Sequence, residues 1–202
     1  MKLYYSPGAC SLSPHIVMRE LNLAFELERV DSSTRKTESG VDFLTVNPSG
    51  YVPALRLDNG EILTEGAAVV QFLADQYADS KLAPRAGTME RARLQEHLNF
   101  IASELHKAFG PLFKPDSTEA AKRDAVANVA QRFERFENIL KDGRLYLMGE
   151  QFSVADAYLF VVSGWAIPTG IGLDKWPKLR AFGERVAARK AVQAALRAEG
   201  LN

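Results

Sequence analysis

The sequence has a single cysteine, no excess of charge of either sign and no long hydrophobic run. One cysteine among 202 residues, Cys10, excludes an internal disulfide, a CxxC redox pair and a cysteine-based zinc site. Basic and acidic residues number 25 each, so neither a nucleic acid nor a membrane is an expected partner. The longest apolar stretch, near residues 157–167, is too short to cross a bilayer. The start of the chain lacks the apolar segment of a secretory signal, so we expect a cytoplasmic protein.

The secondary structure that the sequence predicts changes near residue 80. Over residues 1–80 the strand and helix signals alternate, and they are predominantly helical beyond residue 88. We therefore predict an α/β domain at 1–80, a linker at 81–87 and an all-helical domain at 88–202. The main predicted elements are a strand at Lys2–Tyr5, a helix at Ser11–Leu23, a strand at Phe25–Val30, a hairpin at Asn59-Gly60, a helix at Ala67–Tyr77, one long helix at Thr88–Phe113 and a last helix from Trp176 to about Ala198.

Cys10 lies where a predicted strand and loop meet the start of a helix. The free N–H groups and the positive end of the helix dipole favour a thiolate there, and a thiolate is a nucleophile. A lone cysteine is also commonly a small buried hydrophobic residue. Position alone leaves both interpretations open.

Two further segments have the features of a peptide-binding groove. If the Val52-Pro53 bond is cis, the Val52 backbone is free to pair with an extended peptide, whereas a trans proline would simply begin a strand. Glu65 and Gly66 open a helix whose free N–H groups suit a carboxylate, while the Glu65 side chain suits an ammonium group. The alternative is that Glu65 only complements the helix dipole.

A polar stripe runs beside an apolar one on the long predicted helix. At about 100° per residue, Asn99, Ser103 and His106 fall on one side. Such a stripe is typical of a helix that borders a cleft, although a solvated face gives the same pattern. His15 and His97 have no second ligand at metal spacing, so we interpret them as structural and expect no metal. Farther along the chain, Ser153 and Asp156 have the spacing of a capping box at a helix start.

These motifs, in this order, resemble the cytosolic glutathione S-transferases, and Cys10 together with the segment around His106 resembles the bacterial beta class. The resemblance covers nearly the whole chain. The segments that carry it are Ser6-Pro7-Gly8-Ala9-Cys10-Ser11, Asn47-Pro48-Ser49-Gly50-Tyr51-Val52-Pro53-Ala54, Leu63-Thr64-Glu65-Gly66-Ala67, Glu104-Leu105-His106-Lys107 and Ser153-Val154-Ala155-Asp156.

The resemblance implies a thioredoxin-like first domain that binds glutathione as co-substrate. Pro53 would be cis, the Val52 backbone would pair with the cysteinyl unit of glutathione, and Glu65 and Gly66 would hold the γ-glutamyl end. Many classes of the family have serine at the position of Gly66, and the glycine fits the beta class.

The family pattern also implies roles for residues that the spacing arguments leave undecided. Arg35 or Lys36 would meet the glycyl carboxylate. Asn99 and Ser103 would reach glutathione, with Asn99 in its own subunit or across a homodimer. His106 would lie near the sulfur atoms of Cys10 and glutathione. Tyr5 occupies the region where other classes place a catalytic tyrosine, but the beta-class pattern assigns this role to Cys10.

The sequence thus predicts a glutathione transferase that conjugates or exchanges glutathione with small hydrophobic electrophiles, in keeping with detoxification. Cys10 and His106 are the predicted catalytic residues. Two alternatives use the same fold: a glutathione-dependent reductive dehalogenase or thiol reductase, and a non-enzymatic binding or regulatory protein. Candidate residues for the electrophile pocket include Phe109, Phe113 and the segment 165–171, which serve equally well as core residues.

Overall fold

The structure is a computed structural model that describes residues 1–201. These residues form two compact units, one of residues 1–80 with 188–201 and one of residues 81–187. The strands and helices in chain order are β1 (Lys2–Tyr5), α1 (Leu12–Glu20), β2 (Glu26–Arg29), β3 (Ala54–Arg56), β4 (Ile62–Thr64), α2 (Gly66–Gln76), α3 (Met89–Phe100), a π-helical segment (Ile101–Leu105), α4 (His106–Ala108), α5 (Gly110–Phe113), α6 (Glu119–Leu140), α7 (Val154–Gly164), α8 (Pro177–Ala187) and α9 (Lys190–Ala198).

The first unit is built on one mixed sheet with the strand order β2-β1-β3-β4. β1 pairs in parallel with β2 and antiparallel with β3, which in turn pairs antiparallel with β4. Leu3 of β1 lies opposite Leu55 of β3, and both are fully buried. Gly60 has a φ of 88° in the β3–β4 turn, a conformation that favours glycine, and the hairpin predicted there is confirmed. This arrangement is the thioredoxin-like fold that the sequence predicts.

Helix α1 supplies the crossover that two parallel strands require. Its residues Ile16, Val17 and Met18 are fully buried, and it packs against α2 and α9. Pro14 lies in the first turn, where the missing N–H costs no helical hydrogen bond. The start of α1, which follows Cys10, is therefore fixed by the core of the first unit.

The C-terminal segment belongs to the first unit and not, as predicted from the sequence, to the helical domain at 88–202. The predicted last helix is two helices, because Arg189 has extended backbone angles between α8 and α9. Val192 and Ala195 bury the apolar face of α9 in the first unit. The guanidinium of Arg189 is held by the carboxylate of Glu20 at 2.6 Å. An amphipathic helix of this kind needs a core to cover it, and here that core includes α1.

The second unit is all-helical, as predicted, and its core lies between α3, α6, α7 and α8. Helix α7 is buried along almost its whole length, in agreement with its apolar sequence. The predicted apolar stripe of the long helix is confirmed, since all its members are fully buried: Leu94, Leu98, Ile101, Leu105 and Phe109.

The single helix predicted over Thr88–Phe113 is interrupted twice. Residues Ile101–Leu105 are π-helical, and a further break precedes Gly110 and Pro111, which open α5. A π turn contains more residues than an α turn, so the step of 100° per residue does not hold between Asn99 and His106. The α-helical spacing on which the predicted polar stripe of Asn99, Ser103 and His106 rests therefore does not hold across this segment, although all three residues lie on one continuous stretch.

The predicted capping box at the start of α7 is confirmed. The Asp156 carboxylate is fully buried and accepts hydrogen bonds from the N–H and hydroxyl of Ser153 at 2.8 and 2.6 Å. It also accepts the N–H of Leu147 at 2.8 Å, so it joins the preceding loop to the helix. Within residues 1–201, none of the helices is long and apolar enough to span a membrane.

Candidate functional site

Cys10 lies in the loop between β1 and α1, two residues before the helix begins. Its side chain is half-buried, and its thiol donates a hydrogen bond to the carbonyl of Val52 at 3.3 Å. The backbone carbonyl of Cys10 in turn accepts the hydroxyl of Ser13 at 2.8 Å, in the first turn of α1. The predicted position of Cys10 at a helix start is therefore confirmed, and the structure adds its contact with the backbone of Val52.

The Val52-Pro53 peptide bond is cis, as the resemblance implies. Pro53 is buried at the start of β3, whereas Val52 is half-buried. The Asn47 side chain donates to the carbonyl of Tyr51 at 2.7 Å and so ties together the loop that precedes the cis bond. The structure thus brings the Val52 backbone next to the only thiol of the chain.

Glu65 and Gly66 stand at the start of α2, as predicted. Glu65 is exposed and has a φ of 65°, which is uncommon for a residue with a side chain. Gly66 is buried, and a Cβ added there would lie 3.8 Å from Cγ of Pro53 and 3.9 Å from Oγ of Ser13. The N-terminus of α2 therefore lies close to the cis proline and to the first turn of α1.

Arg35 and Lys36 are both exposed on the loop that follows β2. The guanidinium of Arg35 lies against Gly50: a Cβ at that glycine would be 3.4 Å from Nη1. Gly50 precedes Val52 by two residues, and the backbone of Lys36 pairs with that of Asp42. Of the two cations, Arg35 has the contact with the loop that leads to the cis proline.

His106 lies in the second unit at the start of α4, among aromatic side chains. Its Nδ1 is 2.9 Å from the hydroxyl of Tyr158 on α7, and its ring lies 4.7 Å from that of Trp165 in an edge-to-face arrangement. Burial lowers the pKa of His106 to about 4, with a smaller effect of the charge on Lys107. The imidazole is therefore neutral at pH 7.

Asn99 and Ser103 lie on the same stretch as His106, and both are exposed. The Ser103 hydroxyl donates to the carbonyl of Asn99 at 2.8 Å. Among the candidate residues for the electrophile pocket, Phe109 is fully buried, whereas Phe113 is 51% exposed. Phe109 is therefore a core residue, as the alternative interpretation held.

Comparison with known proteins supplies the family. The model of the glutathione S-transferase N-terminal domain matches residues 8–76, and that of the C-terminal domain matches residues 100–190. A glutathione S-transferase of Escherichia coli O157:H7 is 45% identical over 201 residues, and the alignment covers both chains completely. The chain belongs to the glutathione S-transferase family.

Two solved structures narrow the class within the glutathione S-transferases. The beta-class glutathione S-transferase of Sphingomonas chungbukensis is 52% identical, with a TM-score of 0.97 and complete coverage of both chains. A sphingomonad glutathione S-transferase, solved in complex with glutathione, is 50% identical, with a TM-score of 0.96 and the same coverage. The predicted resemblance to the bacterial beta class, the two-domain fold and the assignment to transferase enzymes are confirmed.

A buried network behind the Cys10 loop of this glutathione S-transferase was missed by the sequence analysis. The Glu199 carboxylate, from the segment after α9, accepts the N–H of Gly8 at 3.0 Å and lies 2.8 Å from Nδ1 of His15. The side chains of Glu199 and His15 are both fully buried. The structural interpretation of His15 is confirmed, but the sequence contains no local signal that joins residues 8 and 199.

Tyr5 lies at the end of β1 and is 8% exposed. Burial, with the charge of Glu199, raises the pKa of Tyr5, so its phenol stays protonated. Within residues 1–201 of this glutathione S-transferase, no three histidine, cysteine, aspartate or glutamate side chains are grouped as a metal ion requires.

Proposed function

We propose that the protein binds glutathione on its first unit and transfers it to small hydrophobic electrophiles, with Cys10 and His106 as the catalytic residues. The observation that carries the proposal is the contact between the Cys10 thiol and the Val52 carbonyl beside the cis Val52-Pro53 bond. It places a lone thiol at a backbone segment that is able to pair with a peptide. The sphingomonad relative, solved with glutathione, supports the choice of peptide.

The three parts of glutathione have matching partners in the first unit. The Val52 backbone pairs with the cysteinyl unit next to Cys10. The free N–H groups at the start of α2, beginning with Gly66, hold the γ-glutamyl carboxylate, and the exposed Glu65 carboxylate holds its ammonium group. Arg35 meets the glycyl carboxylate, supported by its contact with Gly50. Lys36, Asn99, Ser103 and the phenol of Tyr5 are further candidate contacts.

Two reactions are open to this set of groups. In conjugation, the glutathione thiolate attacks the electrophilic carbon, a new C–S bond forms and the leaving group departs with its electron pair. In exchange, the Cys10 thiolate attacks oxidised glutathione, a mixed disulfide forms and one glutathione thiolate leaves. The thiol of Cys10 is half-buried and, as the one cysteine of the chain, forms no disulfide within it, which supports the second reaction. His106 assists by hydrogen bonding to the glutathione sulfur.

The assembly and location of the protein are part of the same proposal. We expect a homodimer in the cytoplasm, where reduced glutathione supplies the co-substrate. Sedimentation of the purified protein gives its oligomeric state, and a monomer at the concentrations used in assays would contradict the expected dimer.

Glutathione binding by calorimetry tests the division of roles in the first unit. We expect Cys10→Ala to retain glutathione binding, because Val52 and the start of α2 are unchanged, and to lose mixed-disulfide formation. Glu65→Gln should weaken binding about tenfold, since it removes a charge-assisted hydrogen bond. The exposed Glu61→Gln, on the nearby β3–β4 turn, is the matched control. Loss of all binding in Cys10→Ala, or equal binding by Glu65→Gln and wild type, would overturn this assignment.

A further inference from the structure

The hydroxyl of Tyr158 is the hydrogen-bond partner of His106. Tyr158 lies in the first half of α7 and is 4% exposed, and its oxygen is 2.9 Å from Nδ1 of His106. The two rings meet edge to face, with centroids 6.2 Å apart. Both residues belong to the second unit, and α7 is fixed at its start by the Ser153–Asp156 capping box. The position of the phenol is therefore set by a rigid element.

The neutral imidazole of His106 has two tautomers, with its N–H proton on either Nδ1 or Nε2. Its apolar surroundings keep it neutral, and Trp165, which lies 4.7 Å from its ring, itself packs on Phe109 at 5.6 Å. A neutral imidazole carries its proton on Nδ1 or on Nε2, and the hydrogen bond at one nitrogen decides which. The hydrogen bond that the structure shows on this ring is the one at Nδ1, so we take that contact to decide the tautomer.

A phenol is a stronger acid than the N–H of a neutral imidazole, and the bare imidazole nitrogen is a good acceptor. The favoured hydrogen bond therefore runs from the Tyr158 hydroxyl to Nδ1, which leaves the proton on Nε2. We propose that Tyr158 is a positioning residue that holds His106 as the tautomer with Nε2–H, so that this N–H is a hydrogen-bond donor toward the glutathione sulfur. The inference rests on the proposed role of His106 and adds to it which atom acts and what sets it.

The proposed tautomer matches the charge of the reacting atom. A thiolate sulfur accepts hydrogen bonds and donates none, so a neutral imidazole helps it only through an N–H. With the proton on Nδ1 instead, Nε2 would present a lone pair to an anion, which is repulsive. Without the phenol hydroxyl, both tautomers become accessible and a part of the molecules is in the unfavourable one.

Nitrogen NMR of the histidine rings tests the tautomer without a ligand and without an activity assay. The chain has three histidines, so His106→Gln identifies the signals of His106 in protein labelled with ¹⁵N-histidine. In wild type at pH 7 we expect Nε2 to give the signal of a protonated nitrogen and Nδ1 that of an unprotonated, hydrogen-bonded nitrogen. In Tyr158→Phe the two signals should move toward each other as the tautomers mix. A protonated Nδ1 in wild type, or unchanged signals in Tyr158→Phe, would overturn the proposal.

Kinetics separate this inference from the role of His106 itself. We expect Tyr158→Phe to lower kcat about five- to tenfold, the effect of one orienting hydrogen bond, with little change in KM for glutathione. In a His106→Ala background the same change should have no further effect on kcat. Tyr146→Phe is the matched control, because Tyr146 is also buried in the second unit but packs on Phe152.

The single and double variants of Tyr158 and His106 form a double-mutant cycle whose outcomes are distinguishable. If His106→Ala leaves kcat unchanged, the proposed catalytic role of His106 fails, and the inference about Tyr158 fails with it. If His106→Ala lowers kcat but Tyr158→Phe behaves like Tyr146→Phe, only the positioning role of Tyr158 is wrong. If Tyr158→Phe lowers kcat equally in both backgrounds, Tyr158 acts on something other than His106, which also contradicts the inference.

Discussion

The surroundings of Cys10 in the first unit and of His106 in the second differ in how they hold a reactive side chain. The Cys10 loop is held by groups far away in sequence, namely the carbonyl of Val52 and the buried carboxylate of Glu199, which binds Gly8. His106 is held by an uncharged phenol and by aromatic rings. The Cys10 loop is held by the buried carboxylate of Glu199, whereas the surroundings of His106 keep its imidazole neutral. We therefore expect changes in the first to be seen mainly as instability, and changes in the second mainly as altered chemistry.

The largest effect should come from Glu199→Ala. This change removes the carboxylate that accepts the N–H of Gly8 and that contacts the fully buried ring of His15. We expect the free energy of unfolding to fall by about 3 kcal/mol or more. Urea unfolding measures it, and the exposed Glu184→Ala on α8 is the control, for which a change under about 0.5 kcal/mol is expected. A loss no larger than that of the control would show that the network does not fasten the loop.

Asp156→Ala tests whether the second unit also depends on a buried carboxylate. The change deletes the acceptor of three hydrogen bonds at the start of α7. We expect a loss of stability of at least about 1 kcal/mol with little change in glutathione affinity. Unchanged thermal stability would contradict the structural role, and a large loss of affinity in a folded variant would show that the role is not purely structural.

The pH dependence of this effect has a definite sign. Burial raises the pKa of Asp156 to about 6 from its usual 3.8, against the lowering effect of its hydrogen bonds from Leu147 and Ser153. Between these two pKa values the folded chain keeps the proton on Asp156, whereas the unfolded chain has released it. The stability that this proton contributes is therefore complete below about pH 4 and is lost as the pH rises through 6. The stability of wild type should therefore decline between these values relative to Asp156→Asn. A constant difference between the two proteins across that range would contradict the raised pKa.

Arg35→Ala and Lys36→Ala sharpen the comparison within the first unit. Arg35 lies against Gly50 in the loop that leads to Val52, and its loss should raise KM for glutathione about tenfold through one missing charged hydrogen bond. Lys36→Ala should change KM less than about twofold. Both residues are exposed, so neither change should affect the free energy of unfolding. The reverse order of the two KM values would assign the glycyl carboxylate to Lys36.

The smallest effect is expected for Gly66→Ala at the start of α2. A Cβ there finds its nearest neighbours at 3.8 Å, an ordinary contact distance, and the backbone N–H remains in place. We expect unchanged glutathione affinity and a gain in stability of about 0.4–1 kcal/mol from the reduced freedom of the unfolded chain. A marked loss of affinity would show that glutathione binding at the start of α2 requires the space left by the missing side chain of Gly66.

Residues with a local sequence signal were easier to predict than the residues that hold them in place. Cys10 and the Val52-Pro53 segment carry local signals, a helix start and a proline in a loop, and the structure brings them together as expected. Glu199 and Tyr158 make their contacts across 191 and 52 residues, and no local pattern encodes such a contact.

The helix boundaries that the sequence analysis missed have a similar cause. Residues 101–105 form a π turn inside a continuous apolar stripe, so the period of the pattern shows no interruption. The break at Arg189 lies in a run rich in alanine and arginine, all good helix formers, and tertiary packing of α9 in the first unit overrides their propensity.

The central claim, that Cys10 is an activated thiol at a glutathione site, is tested most directly by oxidised glutathione and intact mass. Since the chain has one cysteine, a single adduct can only be on Cys10, and Cys10→Ala is the blank. We predict that one mixed disulfide forms fast and that its formation remains fast below pH 7, where an ordinary thiol with a pKa of about 8.5 reacts slowly. A slow reaction that follows the pH profile of a free thiol would contradict the claim.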